Sequence, residues 1–148
     1  MTEELIVGVA VVLRNNKGQI LLGLRKSGWG DNTWAPPGGK IEHGESIKSA
    51  ACRELAEETS IIIQEKDLSL IGITTNHLSE RNRRHISLFM RADSFSGSPK
   101  IMEADKCEKW EWFDVDKQPE QLFTPWKIFL ENHQQTLKKL LKISGFIF

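Results

Sequence analysis

The sequence predicts an α/β fold in which a mixed β-sheet is sandwiched between helices, an α/β/α sandwich, and three observations carry that reading. Aliphatic and β-branched runs at Ile6 to Leu13 and Ile20 to Leu24 bracket the turn Asn15-Asn16-Lys17-Gly18. An unbroken amphipathic segment follows from Ser46 to Thr59. Further short apolar runs then lead to a last segment with apolar residues at helical spacing. A chain of 148 residues holds one domain with a sizeable core, so residues 1–148 are read as a single domain.

Composition excludes several classes. Lys and Arg number 20 against 20 Asp and Glu, so no whole-molecule field favours bulk nucleic acid or a membrane surface. Any phosphate recognition must be local. The stretch MTEELIVGVAVVL is acidic before its apolar run and reads as a strand, not as a secretory signal. No apolar run approaches the length of a membrane span. Cys52 and Cys107 lack Cys-x-x-Cys or Cys/His spacing, which argues against zinc, and both read as buried free thiols of a reducing cytoplasm.

The elements follow in order. The first two runs predict an antiparallel hairpin across Asn15 to Gly18. Arg25 and Lys26 lead from the second strand into Ser27-Gly28-Trp29-Gly30-Asp31-Asn32, a loop able to sit over a ligand. There Arg25 can reach a phosphate or a base edge, while Trp29 either stacks on a ligand or belongs to a mobile surface loop. Pro36-Pro37-Gly38-Gly39 is a stiff and then permissive turn that lets backbone approach a ligand. After the helix come short strands at Ile61 to Ile63 and Leu68 to Thr75. Asn76 to Arg84 reads as a turn whose Arg81, Arg83 and Arg84 either steer a polyphosphate or are simply solvated. His85 to Arg91 is a core strand. His77 and His85 flank the basic turn, each a base-contacting or proton-handling residue or a structural histidine. Glu103 precedes a strand carrying Trp110 and Trp112. From Gln121 on, Trp126, Phe129, Leu130, His133, Leu137, Leu140 and Leu141 recur at i, i+3, i+4 and i+7, the pattern of an amphipathic helix packed on the sheet. The apolar tail Ser144 to Phe148 is expected to dock on the domain or on a second subunit.

The chemistry concentrates in the first helix. Glu45 and Ser46 give it an acidic, capping-type start. At 100° per residue, Ile47, Ala50, Ala51 and Leu55 form an apolar stripe, and Glu54 and Glu58 fall in its middle. Two carboxylates one turn apart, flanked by Glu57, repel each other and lose solvation when packed inward. A hard divalent cation such as Mg²⁺ accepts carboxylate oxygens and keeps coordination sites for water and phosphate. The alternative is a solvated acidic face with Arg53 and Glu57 as an ordinary i,i+4 pair.

Together these residues resemble the Nudix box, G-x5-E-x7-R-E-U-x-E-E-x-G-U, where U is bulky and apolar. Gly39, Glu45, Arg53, Glu54, Leu55, Glu57, Glu58 and Ile61 occupy its positions, and Ser60 stands where the pattern has glycine. That departure puts the helix exit in doubt, because glycine there ends the helix in a left-handed conformation. The resemblance covers most of the chain from about Val7. It looks closest to nucleoside triphosphate diphosphatases of the human MutT-homologue type, through LLGLRK, RHISLFM, and KCEKWEWF followed by QLF.

The resemblance implies the Nudix-type α/β/α sandwich and Mg²⁺-dependent hydrolysis, with Mn²⁺ as a substitute. The substrate class is a (deoxy)nucleoside triphosphate, including oxidised ones such as 8-oxo-dGTP, cleaved to monophosphate and pyrophosphate. Glu54 and Glu58 then hold the metal, Glu57 binds a second ion or helps deprotonate water, and Arg53 orients a catalytic carboxylate. Glu103 matches an acidic residue that reaches the metals or the water in such enzymes. Arg25, Trp29, Gly38, Gly39, Lys40 and His85 are the candidate substrate-binding residues, and Glu45 holds the loop against the helix, with a weaker role at the metal. Two other readings compete: a diphosphatase of nucleoside diphosphates linked to another group, such as ADP-ribose, and a nucleotide- or RNA-binding module without turnover. A homodimer is expected from similar enzymes and from the apolar tail.

Overall fold

The computed structural model describes residues 2–133. Among the described residues seven strands form two sheets: β1 (Glu4–Leu13), β2 (Ile20–Arg25), β3 (Trp34–Ala35), β4 (Gly38–Lys40), β5 (Ser69–Leu78), β6 (Arg83–Ala92) and β7 (Cys107–Phe113). One sheet has the order β4-β1-β6-β5, the other β3-β2-β7. β1 and β6 run parallel over ten paired residues, from Glu4↔Arg83 to Leu13↔Ala92, while β4 and β5 are antiparallel to their neighbours. The first sheet is therefore mixed, as expected, and the second is antiparallel.

Helices cover both faces of the mixed sheet. α1 (Ile47–Thr59) packs Ala50, Ala51 and Leu55 against Val9, Val11 and Leu13 of β1. On the opposite face α2, described over residues 124–133, sets Trp126 and Phe129 against Val12 and Phe89. The two aromatic rings of α2 stack with centroids 5.4 Å apart. β1 thus buries both of its faces, which is why its sequence reads as an almost continuous apolar run. The continuation through Leu137, Leu140 and Leu141, and the docking of Ser144 to Phe148, lie outside the described residues.

The hairpin between β1 and β2 forms only at its turn. Asn15 N–H donates to Gln19 O and Gly18 N–H to Asn15 O, but the strands share just the bridge Arg14↔Ile20 before entering different sheets. β4 and β6 occupy the two edges of β1, and β3 and β7 those of β2. Neither strand has an edge left for the other. Ile61 to Ile63 is not a strand; Ile61 and Ile63 are buried, and Ile62 makes an isolated bridge to Ser96. The basic segment is mostly strand: β5 runs through Leu78, a 3-10 turn spans Ser79–Arg81, and β6 starts at Arg83. Its cross-strand ladder, including Asn76↔His85 and His77↔Arg84, extends pairing well beyond the apolar core. Ile47 is also no core residue, being 40% exposed at the first turn of α1.

Ser60 adopts the conformation that glycine usually supplies. It caps α1 at φ 67°, ψ 5°, and its N–H donates to Ala56 O. Thr59 reinforces the exit, its hydroxyl donating to Leu55 O and accepting from Ile61 N–H. The helix ends on schedule with a strained residue at its cap.

Candidate active site

The site grows from the contact between α1 and β4. A Cβ on Gly38 would lie 2.2 Å from Val9 O, and one on Gly39 would lie 2.3 Å from Glu54 Cδ. Only glycine lets this strand pair with β1 while touching the acidic face of α1. The approach delivers Gly38 N–H to Glu58 Oε1 at 2.6 Å. Burial nevertheless pushes the Glu58 pKa up to about 8, with the neighbouring Glu54 and Glu103 charges adding to the rise. Glu54 is also raised, first by burial, although its hydrogen bond from Arg53 opposes this.

Arg53 is the hub of the acidic residues. Its Nε and Nη2 donate to both oxygens of Glu45 at 2.6 and 2.9 Å, a bidentate fork. Nη1 donates to Glu54 Oε1 at 2.8 Å, and Nη2 to Lys40 O at 3.0 Å. Glu57, about half exposed, lies 3.3 Å from Nη1. The fork holds the Glu45 pKa down to about 2, and Arg53 is raised in turn. Glu45 therefore ties the segment before α1 to the helix, and the i,i+4 pair with Glu57 is the weakest link in this set rather than its purpose.

Glu54, Glu57, Glu58 and Glu103 line one open groove of about 650 Å³, together with Arg53. Glu103 reaches it from the loop before β7, its carboxylate 3.7 Å from Lys106 Nζ. Among the described residues no three acidic, His or Cys side chains converge into a ready ligand set. The donor chemistry still fits a hard dication: five carboxylates, Glu42 with these four, share a groove in which burial and mutual repulsion hold Glu54 and Glu58 toward their neutral forms. Arg53 occupies Glu54, and Gly38 occupies one oxygen of Glu58.

Beside the groove is a cavity of about 190 Å³, larger than the roughly 150 Å³ that accepts a benzene ring. β1 and β6 form its floor with Ile6, Gly8, His85 and Ser87, and Trp29 and Phe123 form a wall. Trp29 lies 4.5 Å from the His85 ring and 4.8 Å from Phe123, so it is packed and not a free loop residue. Arg25 lies with Cζ 4.0 Å over the Phe123 ring, and its Nη2 donates to Trp29 O. Burial lowers the pKa of Arg25, and that of His85 is lowered by burial and by Arg83 and Lys40.

Cavity and groove share Arg25, Trp29, Gly38, Gly39 and Lys40. Arg25, Trp29, Gly38, Gly39, Lys40, Arg53, Glu54, Glu57, Glu58, His85 and Glu103 thus each line one opening or both. The other basic candidates do not: Arg83 pairs with Glu4, Arg84 and His77 with Glu3, all near the start of β1. Of the two cysteines, Cys107 lines the groove and is buried, whereas Cys52 is only partly so; both are free. Sequence reading missed Ser87, Phe123, Lys26 and Lys106. Ser87 was recoverable from strand alternation, since it shares a face with His85. Phe123 carries no such signal, because its loop reaches Trp34 through the hydrogen bond from Phe123 N–H to Trp34 O.

No helix among the described residues is long and apolar enough to cross a membrane. A model of the NUDIX domain matches residues 4–131. An oxidized purine nucleoside triphosphate hydrolase of Danio rerio is 38% identical over 119 residues, which cover 80% of this chain and 70% of that protein. An ADP-ribose pyrophosphatase of Methanocaldococcus jannaschii is 32% identical over 118 residues, covering 80% and 66%. Among solved structures, a MutT NUDIX hydrolase from Burkholderia pseudomallei superimposes with a TM-score of 0.81 at 30% identity, covering 87% of this chain and 98% of that one. Members of this family act on pyrophosphate bonds of nucleotide substrates and generally use a divalent metal. By the match over residues 4–131, the chain belongs to the Nudix hydrolase family.

Proposed function

We propose that this Nudix hydrolase cleaves the diphosphate linkage of (deoxy)nucleoside triphosphates, oxidised ones such as 8-oxo-dGTP included, to give a nucleoside monophosphate and pyrophosphate. The observation that carries the reading is the adjacency of a ring-sized cavity and an acid-lined groove through Arg25, Trp29 and Gly38 to Lys40. A base in the cavity would put its phosphates over the carboxylates. Similarity to the oxidized purine nucleoside triphosphate hydrolase of Danio rerio supports the substrate class.

Glu54, Glu57, Glu58 and Glu103 are the residues that would hold Mg²⁺, or Mn²⁺ in its place. The cation, when bound, neutralises phosphate oxygens that otherwise repel an attacking water. Arg53 keeps Glu54 oriented, and the fork to Glu45 fixes Arg53 itself. Glu57, the most exposed of the helix acids, would bind a second ion or help take a proton from water. Lys26, Lys40 and Lys106 ring the groove and would meet the phosphate oxygens. The working unit in this proposal is one domain spanning residues 1–148, acting as a cytoplasmic homodimer.

Hydrolysis measured with Mg²⁺ across a nucleotide panel tests the proposal, read as nucleoside monophosphate and pyrophosphate from triphosphates and as AMP and ribose 5-phosphate from ADP-ribose. Cleavage of triphosphates but not of ADP-ribose is the expected result. The reverse pattern would favour the second reading, which the Methanocaldococcus jannaschii relative supports. Nucleotide binding without release from any substrate would leave a module without turnover.

A further inference from the structure

The cavity is unequal in the hydrogen bonds its side chains can offer. Arg25 and Lys40 only donate, the Ser87 hydroxyl does either, and neutral His85 has one nitrogen of each kind. Among the described residues no Asp, Glu, Asn or Gln side chain lines it. Arg25 Nε and His85 Nε2 are buried nitrogens without hydrogen-bond partners among the described residues; Arg25 Nε can only donate, whereas His85 Nε2 donates or accepts according to its tautomer. A buried donor facing another donor is costly, whereas a carbonyl oxygen in the same place satisfies it.

We propose that the cavity selects nucleobases presenting carbonyl oxygens to it, the keto bases, over bases presenting amino groups. This rests on the cavity being the base site of the proposed hydrolase. Hypoxanthine and adenine make the cleanest comparison, since they differ in carrying a carbonyl or an amine at one ring position. Uracil and cytosine repeat the comparison on a smaller ring.

The test compares kcat/KM for ITP and ATP, and for UTP and CTP, on the wild-type protein. The expected result is a preference of about tenfold or more for the keto member of each pair, expressed mainly in KM. Equal use of both members, or a preference for ATP and CTP, overturns the proposal. Arg25→Met keeps an unbranched side chain beside Phe123 and removes the donors, so the ITP to ATP ratio should fall toward one. A purely structural role for Arg25 would lower both nucleotides together and leave the ratio intact, which would remove Arg25 as the selecting residue. The ratio can also be read by calorimetry with the α,β-methylene analogues of the same nucleotides. Loss of hydrolysis with selective binding would then overturn the catalytic reading alone, and hydrolysis without selectivity would overturn only this one.

Discussion

Removing the charge of Glu58 should stabilise the metal-free protein while abolishing its activity. The folded carboxyl has a pKa of about 8 against an ordinary value of 4.5, so the fold favours the neutral form. That contribution is complete below pH 4.5 and is lost as pH rises through 8. At about 1.4 kcal/mol per pH unit, the cost of keeping Glu58 in place grows by about 2–3 kcal/mol between pH 5 and pH 7. Glu58→Gln keeps an oxygen for the Gly38 N–H and removes the titration. In EDTA the variant should therefore match the wild type near pH 5 and unfold roughly 5–10 °C higher at pH 7, at about 2–4 °C per kcal/mol. Thermal unfolding followed by circular dichroism across pH 5 to 8 measures this. Comparing variant with wild type cancels titrating groups that do not act on Glu58, among them His85, whereas Glu54, whose charge raises Glu58, is part of the difference measured. Added Mg²⁺ should raise the wild-type midpoint and leave the variant unmoved, because a ligand stabilises only the state that binds it. A difference between the two proteins that does not change with pH would refute the burial argument. Full hydrolytic activity in the variant would take Glu58 out of the metal site.

Other perturbations separate positioning from packing. Arg53→Lys cannot reproduce the two-pronged contact with Glu45 and should lower kcat at least about tenfold, with an intact circular dichroism spectrum. Ser60→Gly should raise stability by about 1 kcal/mol in urea titrations with kcat/KM nearly unchanged, since it relieves a left-handed serine remote from the acids' heads. Gly38→Ala places a methyl 2.2 Å from Val9 O and should cost more than about 2 kcal/mol, read in the same titrations. Trp29→Ala should raise KM for nucleoside triphosphates more than it lowers kcat, because the ring packs on His85 and Phe123 in the cavity wall and supplies no ligand to the groove it also borders.

How far the fold was legible depends on whether a signal was local. Helix α1, its capping serine and the inward Glu54 and Glu58 follow from spacing within one segment, and the structure places them as the spacing predicts. The destination of a strand is not local. Asn15 to Gly18 makes the expected turn, yet β1 takes β6 as its parallel partner from 79 residues away in the register Glu4↔Arg83. Hydrophobic pattern says that β1 is buried on both faces but not which strands hold its edges. β3 and β4 were unreadable for a related reason. Two or three residues around Pro36 and Pro37 have no period to detect, and Val11 N–H still finds Pro37 O.

The same distinction explains why the acids and Gly38, Glu103 and Arg25 were found as candidates while the contacts between them were not. A box of fixed offsets lies within one helix and its approach, so the candidates follow from counting. The groups that make those acids chemically distinct come from elsewhere in the chain. Gly38 reaches Glu58 from a strand, Glu103 adds charge from the loop before β7, and Arg25 supplies an opposing charge from the end of β2. A carboxylate surrounded in this way is held near neutrality by the fold, and a dication reverses that balance by favouring the charged form. The burial that makes Glu58 a liability in the metal-free protein is what gives metal binding its coupling to stability. The protein should be least stable, and most responsive to Mg²⁺, at the upper end of the pH range, where more of Glu58 is already ionised.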